Sequence, residues 1–191
     1  MMPLSYERKA MREVNPEIPP KDIPLNEILN YLKQFVQHPV QKIAEIPDWN
    51  WKSLFFVQIT FAVVSGFLAG LIKFNFYRMA SGLFLMPFVS TISSLLLTTF
   101  FYYYFQFFEK RTENFRKIFA LVTLTTIPFY IFQIASEYLA PVTLIGFGFT
   151  SLLSIVGLTE NFNVQKTRAY QIAGFLFSVV LLTWIINIYT V

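Results

Sequence analysis

Polar positions are sparse and clustered along most of this chain. From Leu54 to Val191, long apolar blocks alternate with short polar or charged joints. A helix crossing about 30 Å of hydrocarbon needs about 20 mostly apolar residues, and five blocks meet that length: 54–72, 80–108, 118–135, 139–158 and 170–189. None carries Lys, Arg, Asp or Glu in its interior, as expected where a charge at mid-membrane costs about 3 kcal/mol or more. The pattern predicts an all-α integral membrane bundle of five transmembrane helices over residues 54–191. The joint at 136–140, with Glu137 as its only charge, leaves open a re-entrant hairpin in place of spans three and four.

Ahead of the first block the pattern changes twice. Residues 1–24 hold Pro3, Pro16, Pro19, Pro20 and Pro24 among alternating charges, a composition that opposes regular helix and favours a flexible, solvated tail. Over 25–53, Leu25, Ile28, Leu29, Leu32, Phe35 and Val36 recur at helical spacing between polar residues, which predicts a cytoplasmic amphipathic helix lying at the membrane interface. Pro39 bends the chain, and Val40, Ile43, Ala44 and Ile46 suggest a second short turn ending near Pro47. Trp49 and Trp51 then fall where indoles prefer the headgroup layer. Leu29, Leu32, Phe35, Trp49 and Trp51 are therefore the expected interfacial anchors. They would either fix the start of the bundle or wedge into one leaflet to promote curvature.

Charge sets an orientation. The arm balances seven basic against seven acidic residues, so the net charge of +4 resides in the membrane loops and gives no reason to expect nucleic acid. Placing alternate joints on one side gathers Lys42, Lys52, Lys110, Arg111, Arg116, Lys117, Lys166 and Arg168 against Lys73 and Arg78 alone. Eight against two predicts a cytoplasmic N-terminus and a C-terminus across the membrane. The segment MMPLSYERKAMREV lacks an apolar region followed by a cleavage site, so the first span is expected to serve as its own uncleaved signal.

Candidate chemistry is thin. With no cysteine, thiolate metal sites and cysteine nucleophiles are excluded, and His38 is a lone histidine beside Pro39 without a second donor nearby. The common catalytic and nucleotide fingerprints do not occur, so no catalytic, cofactor or metal residues are assigned and the chain is read as a non-enzyme. Ala62, Gly66 and Gly70 repeat every fourth position in span one and suit close helix packing, as do Gly146, Thr150 and Ser154 in span four. Span two holds Ser90, Thr91, Ser93, Ser94, Thr98 and Thr99, and span three holds Thr123, Thr125 and Thr126. Of these, Ser90, Ser94, Thr98, Thr123 and Thr126 form either a polar path or hydroxyl bonds to helix carbonyls. Pro87 and Pro128 should kink their spans. Glu109, Glu137 and Glu160 stand at span ends, and Glu160, Lys166 and Arg168 form a candidate recognition surface at the cytoplasmic side.

Three stretches carry a family resemblance: QHP before the first span, TLTTIPFYIF in the third, and SLLSIVGLTENFNVQKTRAYQIAGFLF joining the fourth and fifth. Over about residues 25–191 the chain resembles the Yip domain family of five-span membrane proteins. The resemblance implies a cytoplasmic N-terminus and, in eukaryotic members, binding to Rab-type GTPases with roles in vesicle traffic and membrane shaping. The chain lacks the DLxGP-like motif of those members and looks more like the bacterial ones, which implies the bacterial cytoplasmic (inner) membrane. The expected function is membrane-organising or scaffolding, through the pre-membrane helix and cytoplasmic loops. The alternative is a small transporter or channel using the hydroxyl-rich spans two to four. The bilayer is the expected partner, with a protein partner at the cytoplasmic face and a homo-oligomer left open.

Overall fold

The computed structural model describes residues 23–190, with side chains described through 187. The Pro-rich tail therefore lies outside the described residues except for its last two. Every regular element among the described residues is a helix: α1 (Leu25–Gln37), α2 (Pro39–Ile43), α3 (Trp51–Ile72), α4 (Phe76–Phe107), α5 (Phe115–Thr125), α6 (Ile127–Ser136), α7 (Val142–Phe162) and α8 (Lys166–Thr190). Helices α5 and α6 together make one span, Phe115–Ser136. With α3, α4, α7 and α8 this gives five spans long and apolar enough to cross a membrane.

The spans begin and end by a repeated local device. Asn50, Asn75 and Asn114 each cap a helix start, their side-chain oxygens accepting from the N–H groups of Ser53 (2.8 Å), Arg78 (3.1 Å) and Arg116 (2.9 Å). These caps satisfy donors that a helix leaves unpaired at its N-terminus. They also let the helices start three or four residues before the apolar runs do. At the other ends, Phe74, Lys110 and Asn163 take left-handed φ of 48°, 52° and 48°. Each is followed by an N–H reaching back to a last-turn carbonyl: Asn75 to Gly70, Arg111 to Phe105 and Val164 to Leu158. This is the glycine-type helix stop, here made without glycine.

Ion pairs and loop bonds show the helices alternating in direction. The start of α5, the end of α4, the end of α7 and the start of α8 meet beside the pre-membrane segment, joined by Arg116–Asp48 and Arg168–Glu109 at 2.8 Å each. The start of α4 and the end of α6 meet at the opposite face through Arg78–Glu137, also 2.8 Å. The turn between α6 and α7 is exposed, with Tyr138 and Leu139 outside the core, and the helical stretches on either side, Phe115–Ser136 and Val142–Phe162, are each long and apolar enough to cross a membrane.

The core is built around the third span. Every residue from Ile118 to Thr125 is buried, and α5 packs against α2, α3, α4 and α7. Among the described residues, helix α8 packs chiefly on α7. The long α4 is closely applied to α3 and, toward its end, to α5, with Phe101 and Phe105 in the core; its remaining face is outward, with Phe84, Phe88 and Leu96 more than 60% exposed, an apolar surface that only lipid solvates well.

Close contact between α3 and α4 rests on glycine. A Cβ on Gly66 would lie 2.8 Å from Gly82 Cα, and one on Gly70 would lie 2.6 Å from Met79 N. Both helices therefore touch backbone to backbone, the small-residue packing that membrane helices favour.

Candidate functional site

Polar side chains inside the bundle converge from three helices. Gln58 stands in the apolar run LFFVQITF of α3 and is 1% exposed. Its Nε2 donates to Ser94 Oγ of α4 at 2.9 Å and Tyr130 OH of α6 at 2.8 Å, and approaches Ser90 O at 3.4 Å. Two turns along α3, the Ser65 hydroxyl donates to Tyr130 O at 2.8 Å and to Gln133 Oε1 at 3.3 Å. Gln133 Nε2 in turn points at Met86 Sδ of α4, 3.8 Å away.

The helix break in span three sets up this convergence. Pro128 has no N–H to continue the ladder, and the third span divides at Thr126, whose hydroxyl donates to the carbonyls of Val122 and Thr123 at 3.0 Å. Gln58 Oε1 is buried without a partner. Turning the amide over would let both hydroxyls donate to that oxygen but would strand the amine instead, so half of one buried amide is unpaired either way.

The cluster floors a cleft. Because α4 lies against α3 through glycine and α6 packs on α3 and α7, a gap remains between α4 and α6. Two cavities occupy it, of about 400 Å³ and 280 Å³, and both are lined by Met86 and Val89. The larger runs past Gly66, Gly82 and Gln133 to Arg78 and Glu137 at the opposite face. The smaller reaches Ser94, Thr126 and Tyr130 in the middle of the bundle. Both are lined mainly by apolar surface, and two of the lining residues on α4, Leu85 and Val89, are 58% and 48% exposed.

The hydroxyls picked out from the sequence divide accordingly. Ser94 joins the cross-helix cluster, while Ser90 donates to Pro87 O (3.1 Å), Thr98 to Ser94 O (2.7 Å) and Thr126 to its own helix. Thr123 is buried with its hydroxyl unpartnered. Ala62, Gly66 and Gly70 are all buried on the face of α3, with Gly66 and Gly70 against α4. Sequence reasoning did not single out Gln58, Ser65, Tyr130 or Gln133. The available signal was the rarity of amides in apolar spans, where they are costly unless bonded.

At the face beside α1 the charges form a separate network. Arg168 Nη1 and the Tyr104 hydroxyl both donate to Glu109 Oε1, at 2.8 and 3.1 Å. The bond from Arg168 holds the Glu109 carboxyl below its ordinary pKa against an opposing effect of burial. Arg111 donates to Phe162 O, lies over the Phe105 ring at 5.1 Å and pairs with Glu113. Lys117 Nζ donates to Asn161 O at 3.1 Å. Glu160 and Lys166 are exposed and join none of the ion pairs among the described residues.

The pre-membrane hairpin is held to this face. Asn161 donates to Ile43 O at 2.7 Å and accepts from Ile46 N–H at 2.9 Å. Tyr31 donates to Lys42 O at 2.9 Å and meets the Trp49 ring edge-on at 5.0 Å, and burial pushes its hydroxyl pKa well above the ordinary range. Of the five expected anchors, Phe35 and Trp49 are buried in the core and Leu32 is partly buried. Leu29 is 56% exposed, and Trp51 is 38% exposed while stacking on Phe55 and meeting the Phe119 ring at a tilt. The exposed apolar stripe of α1 comprises Leu25, Leu29 and Val36.

No cluster of three His, Asp or Glu residues able to hold a metal occurs among the described residues, and His38 is exposed. Comparison with curated proteins and with solved structures gives no significant match. The family model for the Yip1 domain matches residues 33–187, from within α1 to near the end of α8. The match takes in the central span, the polar cluster and the clamped second helix together, and the chain belongs to the Yip1 domain family of membrane proteins.

Proposed function

We propose that this protein is a non-enzymatic membrane-organising scaffold. It would act through α1 and the loops on the same face, with that face in the cytoplasm of a bacterial cell and the bundle in the cytoplasmic membrane. The observation that carries this reading is the two-sided character of α1. Ile28 and Phe35 are locked into the core, while Leu25, Leu29 and Val36 stay more than half exposed on the outer side. A helix held rigidly at the bundle with an uncovered apolar stripe is suited to press into the adjacent leaflet, where buried apolar area drives binding. The loop charges favour the cytoplasmic side for it. Glu160 and Lys166, exposed nearby, offer charges to a protein partner on that side.

The transport alternative finds less support. Most hydroxyls of spans two and three are spent on carbonyls of their own helices, and the buried stretch 118–125 fills the bundle on the α1 side.

Reconstitution into liposomes separates the two. Vesicle deformation by the wild type, lost in Leu29→Ser with Val36→Ser at unchanged helicity, is the expected result. Ion or solute flux that is blocked by Ser94→Trp, without deformation, would establish transport instead. Protease protection of tags at the two termini tests the orientation.

A further inference from the structure

We propose that the cleft between α4 and α6 is a binding site for a single zwitterionic phospholipid carrying a primary amine, taken from the leaflet at the face opposite α1. The acyl chain would lie along the glycine-floored cleft, and the headgroup would sit on Arg78 and Glu137. The cleft is a built feature, because the Gly66–Gly82 contact pins α4 to α3 and keeps it off α6. Its two cavities, about 400 and 280 Å³, share Met86 and Val89 and run from the opposite face to mid-bundle. That size falls in or near the range of pockets that hold small ligands, and the exposed apolar wall formed by Leu85 and Val89 would admit an occupant from lipid.

Charge complementarity selects the occupant. Arg78 and Glu137 flank the larger cavity at its outer end and are bonded through Arg78 Nη1 and Glu137 Oε2 at 2.8 Å. A guanidinium has five N–H donors in a planar fork. The Nε and Nη2 edge of Arg78 takes part in no bond among the described residues, so it can grip a phosphate through two parallel hydrogen bonds while Nη1 keeps Glu137. The second carboxylate oxygen, Glu137 Oε1, is likewise available to accept from an ammonium. A phosphate and an amine two carbons apart match this pair, whereas an anionic headgroup would place a second negative charge beside Glu137 with the single guanidinium of Arg78 to balance both. The Ser81 hydroxyl, one turn beyond Arg78 in the same cavity, makes no hydrogen bond among the described residues and can donate to an ester carbonyl.

Full-length protein in nanodiscs of equal parts phosphatidylethanolamine, phosphatidylcholine and phosphatidylglycerol, followed by native mass spectrometry after gentle detergent release, tests the site. The wild type should retain one phosphatidylethanolamine per chain, at least fivefold over either other lipid. Arg78→Gln should cut retention about tenfold, and Glu137→Gln should erase the preference for the amine. Val89→Trp, which fills the cleft from its lipid-exposed wall, should abolish retention at unchanged helicity and melting temperature. Arg78→Lys should restore part of the binding. Equal retention of the three lipids by the wild type, a preference for phosphatidylglycerol, or retention untouched by both Arg78→Gln and Val89→Trp would each overturn the proposal.

Discussion

Asn161 and Ile43, separated by 118 positions in the chain, are joined by a 2.7 Å hydrogen bond from the Asn161 amide to the Ile43 carbonyl. The same side chain accepts from Ile46 N–H at 2.9 Å, so one amide satisfies the carbonyl left open at the end of α2 and a donor in the loop that follows it. Asn161→Ala should lower stability by about 2 kcal/mol, since it leaves two partly buried backbone groups unpaired. Hydrogen exchange at residues 40–46 should rise well before exchange in α5. Asn161→Asp, which keeps only the acceptor, should fall between alanine and wild type in thermal melts.

The glycine contact predicts a sharp contrast. Gly82→Ala forces a methyl into the Gly66 backbone, and the helices must separate at a cost of about 3 kcal/mol. Gly148→Ala, where an added Cβ meets nothing within 4 Å, should be neutral or slightly stabilising. Melting temperatures of the two variants in one detergent give the comparison.

Lys110 holds φ at 52° to close α4, a conformation that costs an ordinary side chain about 1 kcal/mol or more. Lys110→Gly should therefore stabilise the protein by about 0.5–1 kcal/mol. Asn163→Gly should gain less, because asparagine tolerates the left-handed region. Denaturant midpoints would rank the pair.

Glu109 predicts a pH effect on the acid side. Its folded-state pKa is depressed, chiefly by the bond from Arg168. The stabilisation is thus fully present above the ordinary carboxylate value of about 4.3 and is lost as pH falls through the lower folded value. Wild type should lose more stability than Glu109→Gln over that acid interval, while the two curves should run parallel from pH 6 to 8.

Gln58 and Tyr130 should be coupled. A double-mutant cycle with Gln58→Leu and Tyr130→Phe is expected to give a coupling of about 0.6–1.7 kcal/mol, the range for hydrogen bonds between membrane helices. Gln58→Leu alone should cost little, because it also removes a buried oxygen that has no partner.

The five spans were legible because hydrocarbon imposes a length and an apolarity that no other environment demands, and Leu54–Ile72 or Tyr170–Tyr189 satisfy both without ambiguity. Their limits were less so. The expected start at Ala80 becomes Phe76 because Asn75 caps a helix among polar residues, a local hydrogen bond that hydropathy does not register. The inward face of α1 was hidden for a similar reason. Leu29 and Phe35 look equivalent by periodicity, yet only tertiary packing shows that Phe35 is 1% exposed and Leu29 56%. The polar cluster escaped notice because its members sit in three spans, 72 positions apart at the widest bond, and one sequence carries no sign of which helices adjoin.

The central position of the third span bears on how the protein is made. Synthesis delivers α3 and α4 to the membrane first, before the rod they will surround has left the ribosome. Until Tyr130 emerges, the amide of Gln58 has only the hydroxyl and backbone of α4 for company. The glycine seam between the first two spans thus gives the newborn hairpin something to hold by, and keeps its polar side together while the last guest arrives.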